Sequence, residues 1–293
     1  MGDLRVPDDY PLGEGKLHWT CTQWLEDNLG GDFVILDCQP NIHDYIAEHI
    51  PGATYFPPEL MRVSQQGIPG RFIPAQAAGL LFASAGVSND TTVVVATGTG
   101  PFKGWGDGLE QTMVAYSLLR YGATEVWVLD GGIDAWKAEG RELSQLFPEA
   151  PSGNFQPVVQ EDLLVTYEQF KAIKDDDHVM VLDARPANVY EGQGPWRKPG
   201  HIPGAVNVPW RGMMHDDNAR LLKTDAELQA ILDQHGITPD KTVVCSCGTG
   251  REATNEFILF KYLLGFPSVK IFEGSFTEWC HYDQPTVTGP SPR

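Results

Sequence analysis

His49-Ile50-Pro51-Gly52-Ala53 recurs letter for letter as His201-Ile202-Pro203-Gly204-Ala205, and a repeat of this kind is read before anything else in a chain. Upstream of the two copies, Val34-Ile35-Leu36-Asp37-Cys38 answers Met180-Val181-Leu182-Asp183-Ala184. Further upstream, Trp19-Thr20-Cys21-Thr22-Gln23-Trp24-Leu25 answers Val165-Thr166-Tyr167-Glu168-Gln169-Phe170-Lys171. Downstream, Thr92-Val93-Val94-Val95-Ala96-Thr97-Gly98-Thr99-Gly100 answers Thr242-Val243-Val244-Cys245-Ser246-Cys247-Gly248-Thr249-Gly250. Last, Val128-Leu129-Asp130-Gly131-Gly132 with Trp136 answers Ile271-Phe272-Glu273-Gly274-Ser275 with Trp279. Blocks matched in one order mean two copies of one domain, and the changing offsets record insertions at 102–110 in the first and 192–198 in the second. The copies are expected at 1–147 and 163–293. The linker is expected at 148–162, which carries Pro148, Pro151, Gly153 and Pro157.

The 293 residues, 42% hydrophobic and 20% charged, suffice for two ordinary folded domains. A net charge of -18 argues against non-specific binding to nucleic acid or to an anionic membrane, both of which need a positive surface. Any anionic substrate must then be held by local cations or backbone dipoles, because fields are screened beyond roughly 10 Å. No run approaches the roughly eighteen apolar residues of a membrane span. Met1-Gly2-Asp3-Leu4-Arg5 opens neither a basic region nor an apolar signal core. The expectation is a soluble cytoplasmic monomer, or a periplasmic one if an export signal was removed. Five cysteines, odd in number and scattered, make a poor disulfide framework and fit a free thiol.

Short apolar or β-branched runs alternate with helix-patterned stretches in each copy. Val179 to Asp183, Thr242 to Ser246 and Val269 to Phe272 are expected strands. Residues 251–264 are an expected helix with Phe257, Phe260 and Leu264 on one face, and another begins at Thr224-Asp225 with acidic residues in its first turn. The fold class is therefore α/β, each domain a mostly parallel sheet with helices on both faces. Ligands of such sheets sit beyond the carboxyl ends of the strands.

At that place in the second copy stands Cys247-Gly248-Thr249-Gly250-Arg251-Glu252. Gly248 and Gly250 are expected to take positive φ and turn successive N–H groups inward, as an anion cradle at a helix start. A thiolate at Cys247 would be stabilised by the same dipoles, so its pKa is expected below that of a free thiol.

With these motifs in duplicate, nearly the whole chain resembles the tandem-domain rhodaneses, the thiosulfate and 3-mercaptopyruvate sulfurtransferases. The resemblance implies two rhodanese-like domains, the first catalytically silent because Thr97 stands in the place of Cys247. It further implies that the Cys247 thiolate takes sulfane sulfur as a persulfide and passes it to a thiophilic acceptor: cyanide, a small thiol or a protein thiol. No cofactor or metal is implied. Gly248 and Thr249 are small and neutral, as in mercaptopyruvate enzymes, whereas thiosulfate enzymes tend to carry basic residues there. Two departures leave the donor open between thiosulfate and 3-mercaptopyruvate. Glu252 stands where the family usually has Arg or Thr, and Val189 stands where mercaptopyruvate enzymes have a substrate-binding Arg. Gly248, Thr249, Gly250, Arg251 and Glu252 are the expected substrate-binding loop, with Arg185 and Arg197 as substitute cations. The alternative function is a sulfur carrier or sensor that delivers persulfide to a protein partner without turnover.

Other readings of the same residues are weaker. Cysteine phosphatases need Arg six residues after the nucleophile, and Ala253 is there. Cys245, Cys247, Cys280 and His281 lack the spacing of a zinc site. Cys245 lies within a strand and reads as structural or as a resolving thiol. His49, His201, Asp37 and Asp183, present in both copies, read as structural.

Overall fold

The computed structural model describes residues 4–149 and 152–293. Met1, Gly2 and Asp3, and Ala150 and Pro151 of the expected linker, lie outside them. The strands in chain order are β1 (Leu17–Thr20), β2 (Val34–Asp37), β3 (Thr54–Tyr55), β4 (Arg62–Gln65), β5 (Ile68–Phe72), β6 (Val93–Ala96) and β7 (Val126–Leu129). They continue as β8 (Val179–Asp183), β9 (Val206–Asn207), β10 (Met214–His215), β11 (Asn218–Leu222), β12 (Thr242–Ser246) and β13 (Val269–Ile271). Two compact units are built from them. The first comprises Met1–Met61, Ile73–Gln160 and His215–Leu222; the second comprises Arg62–Phe72, Glu161–Met214 and Lys223–Arg293.

The sheet of the first unit has the order β1-β7-β6-β2-β3 and that of the second β13-β12-β8-β9, with every pairing parallel. Where the first sheet has β1, the second has only a parallel bridge between Leu164 and Ile271. Helices flank both sheets: Leu109–Arg120 packs on β6 and β7, and Glu252–Ile258 packs on β12 and β13. This is the α/β architecture expected from alternating strand and helix patterns.

The repeat is explained by the core it builds. Ile35, Ile50, Ala53, Val94, Leu129, Ile133 and Trp136 are buried together in the first unit. Their counterparts Val181, Ile202, Ala205, Val244, Phe272, Phe276 and Trp279 are buried together in the second. His49 places its ring nitrogens on the carbonyls of Tyr45 and Leu146, and Tyr45 donates to the Ala53 carbonyl. His201 repeats this with Tyr190, Ser291 and Ala205. These histidines are consumed by backbone contacts in both copies. Gly52 and Gly204 make the intervening turn at φ of 81° and 92°, where a side chain would be strained.

Two local expectations change. Residues 153–160 of the expected linker run against the first unit: Phe155 is buried on Phe82, and the N–H groups of Gly153, Val158 and Gln160 donate to Ala83, Tyr121 and Arg120. Phe155 and these backbone bonds together hold the segment down. The helix expected over 251–264 is regular only through Ile258. It continues as a wider turn over Leu259–Leu263, in which Leu264 bonds back to Leu259. The helix expected from Thr224 begins as read, with a capping box between Thr224 and Glu227. Among the described residues no helix is long and apolar enough to cross a membrane.

Candidate active site

β12 ends at Ser246, the helix of Arg251's side begins at Glu252, and the turn between them opens with Cys247, which is fully buried. The Cys247 carbonyl accepts the Phe276 N–H at 3.0 Å. In the first unit the Thr97 carbonyl accepts the Ile133 N–H at 2.8 Å, so Thr97 and Cys247 are structural equivalents. Thr97 turns its hydroxyl back onto the Cys38 carbonyl. The Cys247 sulfur instead receives the Gly250 N–H at 3.0 Å, the inward-turned donor expected of the loop.

The two glycines act differently from each other. Gly250 has φ of 83°, like Gly100 at 82° in the first unit, and a side chain on it would run into the Glu273 carbonyl. Gly248 is not in the left-handed region, correcting the expectation. It is small because the Trp196 ring lies over it, 2.7 Å from where a Cβ would stand. Trp196 is fixed by an indole N–H bond to Thr277, whose own backbone and hydroxyl both donate to the Gly248 carbonyl.

Ser275 is a site residue that reading the sequence did not single out. It is fully buried at φ of 50°, a conformation costing a non-glycine residue about 1–3 kcal/mol. The first unit has Gly132 at that place, with φ of 61°. The side chain retained despite the strain accepts the Cys247 N–H at 3.0 Å and donates to the Phe272 carbonyl at 2.9 Å. The substitution of serine for glycine between the two copies was a signal available in the repeat.

Arg62 is the second missed residue. Its hairpin, β4–β5, belongs by its contacts to the second unit. The stem of Arg62 is partly exposed while its guanidinium end is covered, in the manner of long cationic side chains. It donates to the Thr249 carbonyl, and it lies within electrostatic reach of Cys247, Glu273, Glu252 and Arg251. Arg71 of the same hairpin pairs with Glu278 at 2.6 Å. Nothing in the sequence of 62–72 states where the hairpin lands.

The expected cations separate. Arg185 is buried, forks onto Asp183 with bonds of 2.9, 3.1 and 2.5 Å, and stacks on Phe276 and Trp196. Its remaining terminal nitrogen is buried with no hydrogen-bond partner. The first copy has Gln39 at the position of Arg185. There, burial raises Asp37 to about 7, with two Gln39 bonds opposing. The arginine therefore distinguishes the copy that has the thiol. Arg197 is not brought to the loop: it is 76% exposed and pairs with Asp283 at 2.7 Å. The insertion at 192–198 carries Trp196 inward and leaves the next residue at the surface.

The acid–base state of the site overturns the expectation of a depressed thiol pKa. Burial pushes Cys247 well above the ordinary thiol range. The charge and hydrogen bond of the Glu252 carboxylate push it further, and the Ala253 backbone N–H offsets only part of this. Loop dipoles stabilise a thiolate, but here a carboxylate has been placed among them. Burial likewise raises Cys245, with Glu256 next to it, and keeps it a neutral thiol of the strand. Burial also raises Glu256, beside Asp183 and Glu252, and both its carboxyl oxygens lack hydrogen-bond partners. Chemically, the second unit thus offers a buried sulfur that receives the Gly250 N–H, with the charges of Glu252 and Arg62 within electrostatic reach of it.

A family model described as a Rhodanese-like domain matches residues 22–139 and again 166–282. The chain is 31% identical over 264 residues to the thiosulfate sulfurtransferase of Pseudomonas aeruginosa, covering 89% of this chain and 93% of that protein. It is 30% identical over 280 residues to the sulfur carrier protein TtuD of Thermus thermophilus, covering 88% and 92%. Among solved structures it is similar to Escherichia coli SseA, described as a 3-mercaptopyruvate sulfotransferase. That likeness has a TM-score of 0.77 and 25% identity, and covers 88% of this chain and 98% of SseA.

Proposed function

Because the chain belongs to the rhodanese family, with two such domains in tandem, we propose that it is a sulfurtransferase that moves sulfane sulfur through a persulfide on Cys247. The observation that carries this reading is the pair of equivalent positions. One holds a hydroxyl spent on the Cys38 carbonyl, and the other a sulfur that receives the Gly250 N–H. In the first step the Cys247 sulfur attacks the transferable sulfur of a small anionic donor, thiosulfate or 3-mercaptopyruvate, and releases sulfite or pyruvate. In the second, a thiophilic acceptor attacks the outer sulfur and regenerates the thiol. Arg62 supplies local positive charge that an anionic donor needs against a net charge of -18, and the unpartnered terminal nitrogen of Arg185 offers a further N–H donor. The first domain supports the fold without reacting.

A second reading, delivery of the persulfide to a protein thiol, is favoured by the similarity to the Thermus sulfur carrier. Steady-state assays separate the two: release of sulfite or pyruvate, with thiocyanate formed from cyanide, is expected from the wild type and absent from Cys247→Ser. A wild type that takes one sulfur per chain and then passes it only to a protein acceptor supports the carrier reading. Undiminished turnover by Cys247→Ser overturns both.

A further inference from the structure

Cys21 takes no part in the persulfide reading and stands in the wall of a cavity. β1, β6 and β7 end at Thr20, Ala96 and Leu129, and beyond those ends Cys21, Thr99 and Asp130 border a cavity of about 650 Å³. Small organic ligands occupy cavities of this size, and the carboxyl edge of a parallel sheet is where ligands sit. All of the lining residues belong to the first unit and none to the Cys247 loop. Cys21 is free and part-exposed, and its sulfur accepts the Trp24 N–H at 3.5 Å where the helix Thr22–Asp27 begins. Serine, threonine, aspartate and asparagine are the preferred residues there, and a thiol is a weak acceptor. The matching helix of the second unit is capped by Thr166, so capping does not account for the cysteine.

The hairpin β10–β11 brings Arg220 to the same cavity. Arg220 is 3% exposed, pairs with Asp134 at 2.8 Å and donates to the Gly106 carbonyl at 2.6 Å. Its Nε is buried with no hydrogen-bond partner, which leaves a charge-assisted donor for an anionic oxygen. The carboxylates of the wall are engaged elsewhere. Asp130 accepts the Tyr10 hydroxyl and the Leu222 N–H, Asp134 also accepts the Thr99 N–H, and Glu139 pairs with Arg141. Asp217, the remaining one, is exposed to water.

We propose that this cavity is a thiolation site, in which Cys21 exchanges with a low-molecular-weight disulfide that bears a carboxylate close to its sulfur. The ligand's sulfur meets Cys21, and its carboxylate takes the N–H that Arg220 leaves open. In the exchange Cys21 loses its proton and its sulfur attacks one sulfur of the ligand. A bond forms between Sγ and that sulfur, and the ligand's own sulfur–sulfur bond breaks. The electron pair leaves with the second sulfur, which takes up a proton and departs as a thiol. Cys21 is oxidised and half of the ligand is reduced, so the disulfide is itself the oxidant, and excess thiol reverses the step. The exchange requires neither Cys247 nor a persulfide.

The test uses the full chain and three disulfides of similar size: anionic dithiodiglycolate, neutral bis(2-hydroxyethyl) disulfide and cationic cystamine. Mixed disulfide at each cysteine is followed in time by peptide mass, and its reversal by dithiothreitol is checked. The net charge of -18 by itself favours cystamine. The local donor should reverse that order at Cys21, with dithiodiglycolate reacting about tenfold faster than the neutral compound. Cys280, also part-exposed, is the internal comparison and should react more slowly, with no preference for the anion. Arg220→Gln should abolish the preference at Cys21 while the neutral disulfide still reacts, with folding checked by thermal unfolding. Ala138→Trp narrows the cavity from an exposed helix position; it should slow all three reagents at Cys21 and serves if Arg220→Gln does not fold. Cys21 reacting no faster than Cys280 in the wild type overturns the site. Equal rates with the anionic and neutral compounds, or a preference that survives Arg220→Gln, overturn the carboxylate-bearing ligand class. Sulfur loading of Cys247 is measured separately, so none of these results bears on the persulfide reading.

Discussion

Replacing Arg62 by Gln removes a cation that reaches the Cys247 loop from a hairpin distant in sequence. Two effects follow and can be read separately. The charge-assisted bond from Arg62 to the Thr249 carbonyl contributes about 1.5–3 kcal/mol by analogy with hydrogen bonds to charged groups. That loss should appear as a lower melting temperature. Arg62 also lies in the electrostatic field of Cys247, Glu252 and Glu273, so its removal disfavours a thiolate and an anionic donor at the same place. If that contribution is of the same size, kcat/KM falls about ten- to hundredfold. The guanidinium end is covered, so added salt should restore little of the rate. Arg62→Lys keeps the charge and loses the planar fork; it should recover activity more than stability. The assay is donor-dependent sulfur loading under single-turnover conditions, paired with thermal unfolding. If Arg62→Gln lowers the melting temperature while loading stays within about threefold of wild type, a difference below 1 kcal/mol, Arg62 is a strut and its charge has no part in the chemistry.

Two further perturbations test neighbouring groups. Ser275→Gly should relieve a left-handed residue, φ 50°, by about 1–3 kcal/mol, while leaving the buried Cys247 N–H without its acceptor, at a cost of about 1–3 kcal/mol. Stability measured by denaturant should therefore change little, whereas sulfur loading should slow by about tenfold as Cys247 loses its anchor; unchanged loading would show that the strain is incidental. Glu256 has a carboxyl raised by burial above its ordinary 4.5, so the folded state holds a proton that the unfolded chain releases. The stability linked to it is full below that ordinary value and is lost as pH rises toward the raised one. Glu256→Gln should thus stabilise the protein more at about pH 8 than at about pH 5, and an equal effect at both would contradict a protonated Glu256.

What the sequence made legible was what depends on nearest neighbours along the chain. The strands Val179–Asp183 and Thr242–Ser246, the cap at Thr224 and the turn after His49 and His201 each follow from local pattern, and duplication aligned them. The loop at Cys247 was legible for the same reason. Its electrostatics were not, because the helix-start argument counts dipoles and cannot count burial or the direction in which Glu252 points. Arg62 and Trp196 were missed or misjudged for a related reason: each reaches the loop from a segment whose landing place is set by tertiary packing. Arg197, adjacent to Trp196, shows how one residue's difference in a turn separates a surface ion pair from the site.

We propose that one sulfur atom, that of Cys247, carries the transferred sulfur while Cys245, Cys21, Cys38 and Cys280 do not. Intact mass and peptide mapping of the full chain, before and after a donor and again after cyanide, measure this directly. The expected result is a gain of one sulfur on the peptide bearing Cys247, its loss to cyanide, and no gain in Cys247→Ala, with Cys245→Ala loading normally. A sulfur mapped to any other cysteine, or loading that survives Cys247→Ala, would contradict it.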